Sequence, residues 1–128
     1  MIMRVPVHTT LSVVDEQHAI VRLVFRNVGD DIELLDRRMA CMNGFVPKGA
    51  FRLSAPRRFI GRRVTSFGAD AEFYEAIAPG QQRAIEIRLA LEFEWRGELI
   101  DVHYQASHAN ADASRILALA SETVRIRL

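Results

Sequence analysis

The segment RRFIGRR, residues 57–63, places four arginines around Phe59, Ile60 and Gly61. Arginine pairs with carboxylates and phosphates through two parallel hydrogen bonds, so this segment indicates a surface that binds anions. Strand alternation directs Phe59 toward the core and predicts that most of the arginines reach solvent near a sheet edge. The candidate partner-binding residues are Arg57, Arg58, Arg62, Arg63, Arg37 and Arg38.

The cations of this chain are unevenly distributed. Residues 37–69 contain eight cations and no acid, whereas the other residues contain nine cations and sixteen acids, so a net charge of +1 conceals regions of +8 and −7. In one interpretation the two regions neutralise each other, with Arg62 and Arg63 meeting acids of 70–75 or 86–94 on neighbouring strands. In the other, the basic segment faces an acidic protein, a polyanion or a phosphate-bearing surface.

Aromatic residues are interleaved with these arginines, as they are in many proteins that bind single-stranded nucleic acid. They are Phe45, Phe51, Phe59 and Phe67. Alternation assigns Phe51 and Phe59 to the core, where they cannot stack on bases. Self-neutralisation is the favoured interpretation of the basic segment. If the segment faces a partner instead, an acidic protein surface is favoured over nucleic acid or lipid.

The sequence contains none of the common catalytic motifs. It has no H-E-x-x-H, no G-x-S-x-G and no G-x-G-x-x-G. Its four histidines lack metal-ligand spacing: His8, His18, His103 and His108. The single cysteine, Cys41, is interpreted as a small buried or bystander residue. We therefore expect no enzyme, no cofactor and no metal; the alternative is an enzyme whose site assembles from residues distant in sequence.

Apolar and polar residues alternate through four stretches: AIVRLVFRN, AIEIRLALEFEW, LIDVHYQA and ETVRIRL. This period of two indicates antiparallel strands with one face in the core and one in solvent. Shorter strands are expected at 9–14, 32–36, 50–54 and 71–77. At most one short helical turn is expected, near DASRILALA with Asp112 as its cap.

Turn signals separate the strands, and Pro79-Gly80 fits the central positions of a type II turn. Seven to nine strands at this spacing predict an all-β fold, an immunoglobulin-like two-sheet antiparallel β-sandwich, in a single domain over residues 1–128. The predicted core residues are Val21, Leu23, Phe25, Leu34, Phe73, Ile85, Ile87, Leu89, Ile100, Val102, Tyr104, Val124 and Ile126.

The order of the segments resembles a known domain. VRLVFRNVGDDIELLDR resembles the strand–N-x-G–strand that opens the β-sandwich preceding the catalytic domain of peptidyl-Lys (deuterolysin-like) metalloendopeptidases. GAFRLS, FIGRRVTSFGADAEFYEAIAPGQQ and SETVRIRL are similar to its later strands and closing turn. The resemblance implies an immunoglobulin-like sandwich of prodomain-like or accessory character. No catalytic residue carries over, because this sequence lacks the zinc-binding motif of those enzymes.

The favoured function is a non-catalytic interaction module that binds an acidic protein partner through the basic edge at 37–69. The alternatives are the enzyme described above and a module that binds nucleic acid or another anion. Exposed strand edges permit sheet-to-sheet pairing, so a monomer or a weak dimer is expected. No run of membrane-span length and no signal-peptide pattern are present, which predicts a cytoplasmic protein without a membrane span.

Overall fold

The computed structural model describes residues 5–42, 44, 46–62, 70–110, 112 and 114–128. These residues form nine β-strands and two 3-10 helices, with no α-helix among them, and every strand pair is antiparallel. The strands are β1 Val7–Asp15, β2 Ile20–Asn27, β3 Glu33–Asp36, β4 Phe51–Leu53, β5 Tyr74–Ile77, β6 Gln82–Arg88, β7 Leu99–Ala109, β8 Ile116–Ala120 and β9 Val124–Arg127. The 3-10 helices are Ala71–Phe73 and Leu89–Leu91. The all-β antiparallel class is thereby confirmed.

The strands form three groups. One sheet has the order β1-β2-β6, and a separate pair joins β3 to β5. The long strand β7 organises the third group, because β4 pairs with one of its edges. The other edge pairs with β9 near the start of β7 and with β8 near its end. Within the described residues, no helix is long and apolar enough to cross a membrane.

The core lies where the side chains of β2 and β7 meet. The ring of Phe25 packs edge-on against Tyr104, with centroids 5.6 Å apart, and Phe51 packs against the same tyrosine at 5.7 Å. Nine predicted core residues are buried: Val21, Leu23, Phe25, Ile87, Leu89, Ile100, Val102, Tyr104 and Ile126. Ile85 and Val124 are partly buried against this cluster, and Phe73 is half-buried in a 3-10 helix.

The prediction for Leu34 is wrong. Its side chain is 39% exposed, and the neighbouring Leu35 is fully buried instead. In β3 the inward positions are occupied by Leu35 and by Glu33, a buried carboxylate that accepts a 2.9 Å hydrogen bond from Arg115 Nε. An inward-pointing glutamate breaks the apolar alternation, so the pattern of four residues suggested the wrong face.

Two expected strands are shorter than the sequence suggested. The pattern in AIEIRLALEFEW continues to Phe93, but β6 ends at Arg88 and a 3-10 helix follows. Consequently Leu91, predicted on the inner face of that strand, is 62% exposed. Residues 71–77 likewise begin as a 3-10 helix and become a strand only at Tyr74.

The expected helical turn near DASRILALA is also wrong, because Ile116–Ala120 forms β8. Asp112 caps a tight turn instead, its Oδ1 accepting a hydrogen bond from the Ser114 backbone N–H at 3.0 Å. The Asn110 side chain closes the same turn by accepting from the Arg115 N–H at 3.0 Å. Strand pairing with β7 outweighs the local helical preference of this alanine- and leucine-rich stretch.

The predicted Pro79-Gly80 turn is present. The Gln81 N–H donates to the Ala78 carbonyl at 3.0 Å, and Gly80 has a φ of 81°, which suits glycine at this position.

The buried side chain of Asn27 stabilises the region beside this turn. Its amide Nδ2 donates to the carbonyls of Asp31 and Ile77, so this buried side chain connects the end of β2 to β5.

Candidate partner-binding groove

The arginine-rich segment is fixed to the chain that follows β6. The N–H groups of Ile60 and Gly61 donate to the Glu92 carbonyl at 2.8 and 3.2 Å, and the Glu94 N–H donates to the Arg58 carbonyl at 2.8 Å. This backbone pairing brings Phe59 opposite Phe93.

The rings of Phe59 and Phe93 then pack edge-on, with centroids 5.6 Å apart. The prediction that Phe59 anchors the segment to the core is confirmed. The close approach also involves Gly61, because a Cβ at this position would meet the Glu92 carboxylate and the end of the Phe59 ring, and these side chains would have to shift to accommodate it.

A groove of about 530 Å³ lies between this segment and β4. Its apolar lining includes the phenylalanines Phe51, Phe59 and Phe93. Three exposed cations lie around it: Lys48, Arg52 and Arg58. In the described part of the chain, no acidic side chain pairs with any of these three cations. We call this groove, lined by the three phenylalanines and surrounded by the three cations, the basic groove.

Local structure explains how the cations reach the groove. Lys48 occupies the turn that leads into β4, which is closed by the Ala50 N–H donating to the Pro47 carbonyl at 3.1 Å. Arg52 lies between Phe51 and Leu53 on β4, and strand alternation points its side chain away from the core. Both residues belong to the basic segment 37–69 but are not among the six predicted binding residues.

Arg57 is an exception to the expectation that most of the arginines reach solvent. Its side chain is only 2% exposed, and its Nη2 and Nε donate to the Leu128 carbonyl at 3.0 and 3.4 Å. A carboxylate oxygen of Glu98 lies 3.7 Å from Nη2. Arg57 also lines the basic groove, but its guanidinium is committed to the chain's own backbone.

Arg37 and Arg38 are paired with acids of this chain. Arg37 Nη1 lies 2.6 Å from Glu75 Oε2, and Arg83 Nε binds the other oxygen of Glu75 at 2.9 Å. The hydrogen bond from Arg83 makes the largest contribution to lowering the pKa of Glu75, and Arg37 adds to it.

The guanidinium of Arg38 forms a two-pronged pair with Asp36. Its Nε and Nη2 lie 2.9 and 3.0 Å from the two carboxylate oxygens, and its Cζ lies 4.3 Å from the centre of the Phe73 ring. For both Arg37 and Arg38, these contacts match the self-neutralising interpretation, and neither residue lines the basic groove.

Of the remaining candidates, Arg58 is exposed at the groove and Arg62 is exposed in the same segment. Arg63 lies outside the described residues, as do Phe45 and Phe67. The structure therefore brings Arg57 and Arg58 together at the groove and places Arg37 and Arg38 elsewhere. It adds Lys48 and Arg52. Alternation beside Phe51 is the signal that places Arg52 on the exposed face, whereas Lys48 lies in the turn before β4.

The segment that pairs with the arginine-rich stretch contains a partly buried carboxylate, that of Glu92. Its Oε2 is buried and has no hydrogen-bond partner among the described residues. Burial raises the pKa of Glu92, since the charged form loses contact with water. Burial, with a smaller contribution from the Glu92 charge, also raises the pKa of the Cys41 thiol to about 12. A thiol of this kind is a poor nucleophile at neutral pH.

A second cluster of ionisable groups is enclosed in the core. His108 Nδ1 accepts a hydrogen bond from the Asp36 N–H at 3.1 Å, so the ring proton lies on Nε2. Nε2 donates to the Tyr104 hydroxyl at 2.8 Å, and that hydroxyl donates to the Met39 carbonyl at 2.6 Å. With the histidine neutral, both ring nitrogens of His108 and the Tyr104 hydroxyl have hydrogen-bond partners. Burial lowers the pKa of His108 to about 4.

Comparison with protein-family models and with curated proteins finds no match for this chain. Within the described residues, no group of three or more histidine, cysteine, aspartate or glutamate side chains is arranged to hold a metal ion.

Proposed function

We propose that this chain is an immunoglobulin-like, two-sheet β-sandwich that acts as a non-catalytic interaction module. The contacts of Phe25 on β2 with Tyr104 on β7 support a face-to-face arrangement of the two larger sheets. The similarity of the segment order to the prodomain-like sandwich of deuterolysin-like metalloendopeptidases is part of the same proposal. That similarity favours an accessory or binding role.

The proposed ligand is an acidic, partly apolar segment of a protein partner. One observation carries this proposal: three exposed cations without an acidic partner among the described residues lie around a groove lined by phenylalanines. Carboxylates of the partner would pair with Lys48, Arg52 and Arg58, while apolar side chains between them would contact Phe59 and Leu53. Arginine favours carboxylates because it can donate two parallel hydrogen bonds.

Burial of the aromatic lining favours a protein over a nucleic acid. Phe51 and Phe93 are 2% and 4% exposed, so neither ring presents a face on which a base could stack. Nucleic-acid binding at this groove would depend on the cations alone. Such binding is weak, non-specific and steeply dependent on salt.

The buried Tyr104–His108 cluster is the best candidate for an enzymatic site assembled from distant residues. Its hydrogen-bonding groups are satisfied by one another and by backbone groups, and His108 and Tyr104 are fully buried. A general base must reach a proton on a substrate. A structural role for this cluster is therefore favoured over catalysis.

The groove is tested with a labelled peptide of about ten residues that alternates glutamate with leucine, a length that spans about 33 Å when extended. The test variant combines Lys48→Gln, Arg52→Gln and Arg58→Gln. The control variant combines Arg26→Gln, Arg96→Gln and Arg125→Gln, which changes the net charge equally at exposed sites elsewhere.

We expect the groove variant to bind about tenfold more weakly than the wild type, since three exposed ion pairs of about 0.5 kcal/mol each are lost. The control variant is expected to bind within about twofold of the wild type. Equal weakening of both variants would mean that only net charge matters and would refute the groove. Tighter binding of a single-stranded oligonucleotide of the same charge would favour the nucleic-acid alternative.

A further inference from the structure

Strand β6 lies at an edge of its sheet, and its hydrogen-bonding phase can be determined. The Asn27 N–H donates to the Gln81 carbonyl at 3.0 Å, and the Leu89 N–H donates to the Ala19 carbonyl at 2.9 Å. In an antiparallel ladder such bonds recur at every second residue. Odd-numbered residues from 81 to 89 therefore bond to β2, and the even-numbered residues direct their N–H and carbonyl groups away from it.

This outer edge of β6 is open. Ala84, Glu86 and Arg88 are all exposed, and no described group outside this sheet forms a hydrogen bond with the backbone N–H or carbonyl groups of Ala84 and Glu86. Arg88 is the last residue of the strand and precedes the 3-10 helix Leu89–Leu91. Unpaired peptide groups on an exposed edge strand are a template for pairing with another strand.

The charges along this edge are self-complementary in one register. Glu86 and Arg88 occupy consecutive outward positions. If two copies of β6 pair antiparallel about a two-fold axis at Ile87, Glu86 of each copy lies directly opposite Arg88 of the other. Two reciprocal ion pairs then form beside the ladder hydrogen bonds, as a two-fold interface requires.

Neighbouring registers lack this match. An axis at Glu86 would place the two glutamates opposite each other, which is destabilising. An axis at Ile85 would place Glu86 opposite Ala84 and Arg88 opposite Gln82, without any ion pair. The charge pattern therefore favours the register with its axis at Ile87. It disfavours the neighbouring register with its axis at Glu86, in which the two glutamates repel each other.

We propose that two copies of this chain associate through antiparallel pairing of β6, in the register that places Glu86 of each opposite Arg88 of the other. The two three-stranded sheets become one six-stranded sheet across the dimer. Glu86 already pairs with Arg22 of its own copy, whose Nη2 lies 2.7 Å from Oε1, so in the dimer each Glu86 lies between Arg22 of its own copy and Arg88 of the other. The overlap is short and the ion pairs are exposed, so the dimer is weak and depends on protein concentration.

The dimer is tested by sedimentation velocity on the full chain, at concentrations from about 1 µM to 1 mM, a range that covers weak association. The wild type should shift from 14.5 kDa toward twice that mass as concentration rises. Glu86→Arg and Arg88→Glu should each remain monomeric alone, because each places like charges opposite each other in the paired register.

Mixing the two single variants provides the decisive arm. An equimolar mixture of Glu86→Arg with Arg88→Glu should recover the dimer, since every opposing pair then has opposite charges. Circular dichroism confirms that each variant is folded before mixing. Recovery in the mixture cannot result from misfolding of either variant.

Three results would overturn the proposal. They are a wild type that stays at 14.5 kDa throughout, single variants that still dimerise, and a mixture that fails to recover a dimer lost in both variants. Amide hydrogen exchange provides a residue-level readout. Exchange at Glu86 and Arg88 should slow as protein concentration rises, whereas Ile85 and Ile87 should be protected at every concentration because their amides bond to β2.

Discussion

Protonation of His108 should control how the stability of this fold depends on pH. The ring is neutral in the folded state, because Nδ1 accepts from the Asp36 N–H and Nε2 donates to Tyr104. Burial lowers the pKa of His108 from 6.5 to about 4, although the negative charge of Asp36 opposes this shift. The unfolded chain therefore binds a proton at a higher pH than the folded chain does.

The sign and size of the effect follow from proton linkage. A histidine with a lowered pKa contributes stability that is fully present above about pH 6.5 and is lost progressively as the pH falls toward 4. At about 1.4 kcal/mol per pH unit, the total loss is about 3 kcal/mol, most of which is reached by about pH 4.5. This is a large part of the stability of a small domain.

The assay is urea unfolding of the wild type and of His108→Phe at about pH 7.5 and pH 4.5, on either side of most of this titration. At the higher pH the variant should be less stable by about 1–3 kcal/mol, since the Asp36 N–H loses its acceptor. Between the two pH values, the wild type should lose about 2.5 kcal/mol more than the variant does. Tyr104→Phe serves as the control, because it weakens the same cluster and retains the titrating ring.

The wild type and both variants contain the same carboxylates. The difference in stability loss between the wild type and His108→Phe therefore reports the contribution of His108. Glu92 has the opposite effect. Because burial raises its pKa, its protonation increases the stability of the fold as the pH falls. Equal losses in the wild type and in His108→Phe would refute the account of the buried cluster.

Three further experiments test the packing around the core and the groove. Phe25→Ala should cost about 3–5 kcal/mol in chemical denaturation, and a cost below about 1 kcal/mol would contradict its central position. Arg57→Gln should cost about 1–3 kcal/mol through loss of its buried carbonyl contacts, whereas Arg58→Gln should stay within about 0.5 kcal/mol; a reversed order in thermal melts would show that their roles are misassigned. Gly61→Ala should destabilise the fold by about 1–3 kcal/mol, and Glu92→Ala should restore part of that loss in the double variant; full stability of Gly61→Ala would refute the close approach.

Much of this fold can be predicted from alternation. In β2 and β7 the residues predicted to point inward are buried. Long strands with one solvent-exposed face repeat the apolar–polar alternation often enough to show which side faces the core. Short strands contain too few positions for this. In β3, the adjacent Leu34 and Leu35 are both apolar, and only the burial of Glu33 beside Arg115 determines which face is inward.

The candidate site was predictable only in part. Arginine density pointed to the correct segment, and Phe59 was expected to anchor it. The fate of each arginine depends on contacts between residues distant in sequence, such as Arg57 with the Leu128 carbonyl 71 residues later. Periodicity and composition contain no information about such pairs, so the sequence could not distinguish the buried side chain of Arg57 from the exposed Arg58.

The most direct test of the proposed function is amide chemical-shift mapping by NMR with the glutamate–leucine peptide. Binding in the basic groove predicts the largest shifts at Lys48, Arg52, Arg58 and Phe59, with small changes at the exposed Arg26 and Arg125. The shifts should diminish as salt is raised, because the cations are exposed. Largest shifts on another surface, or no shifts at a peptide concentration that saturates fluorescence binding, would contradict the proposal that this groove binds acidic partners.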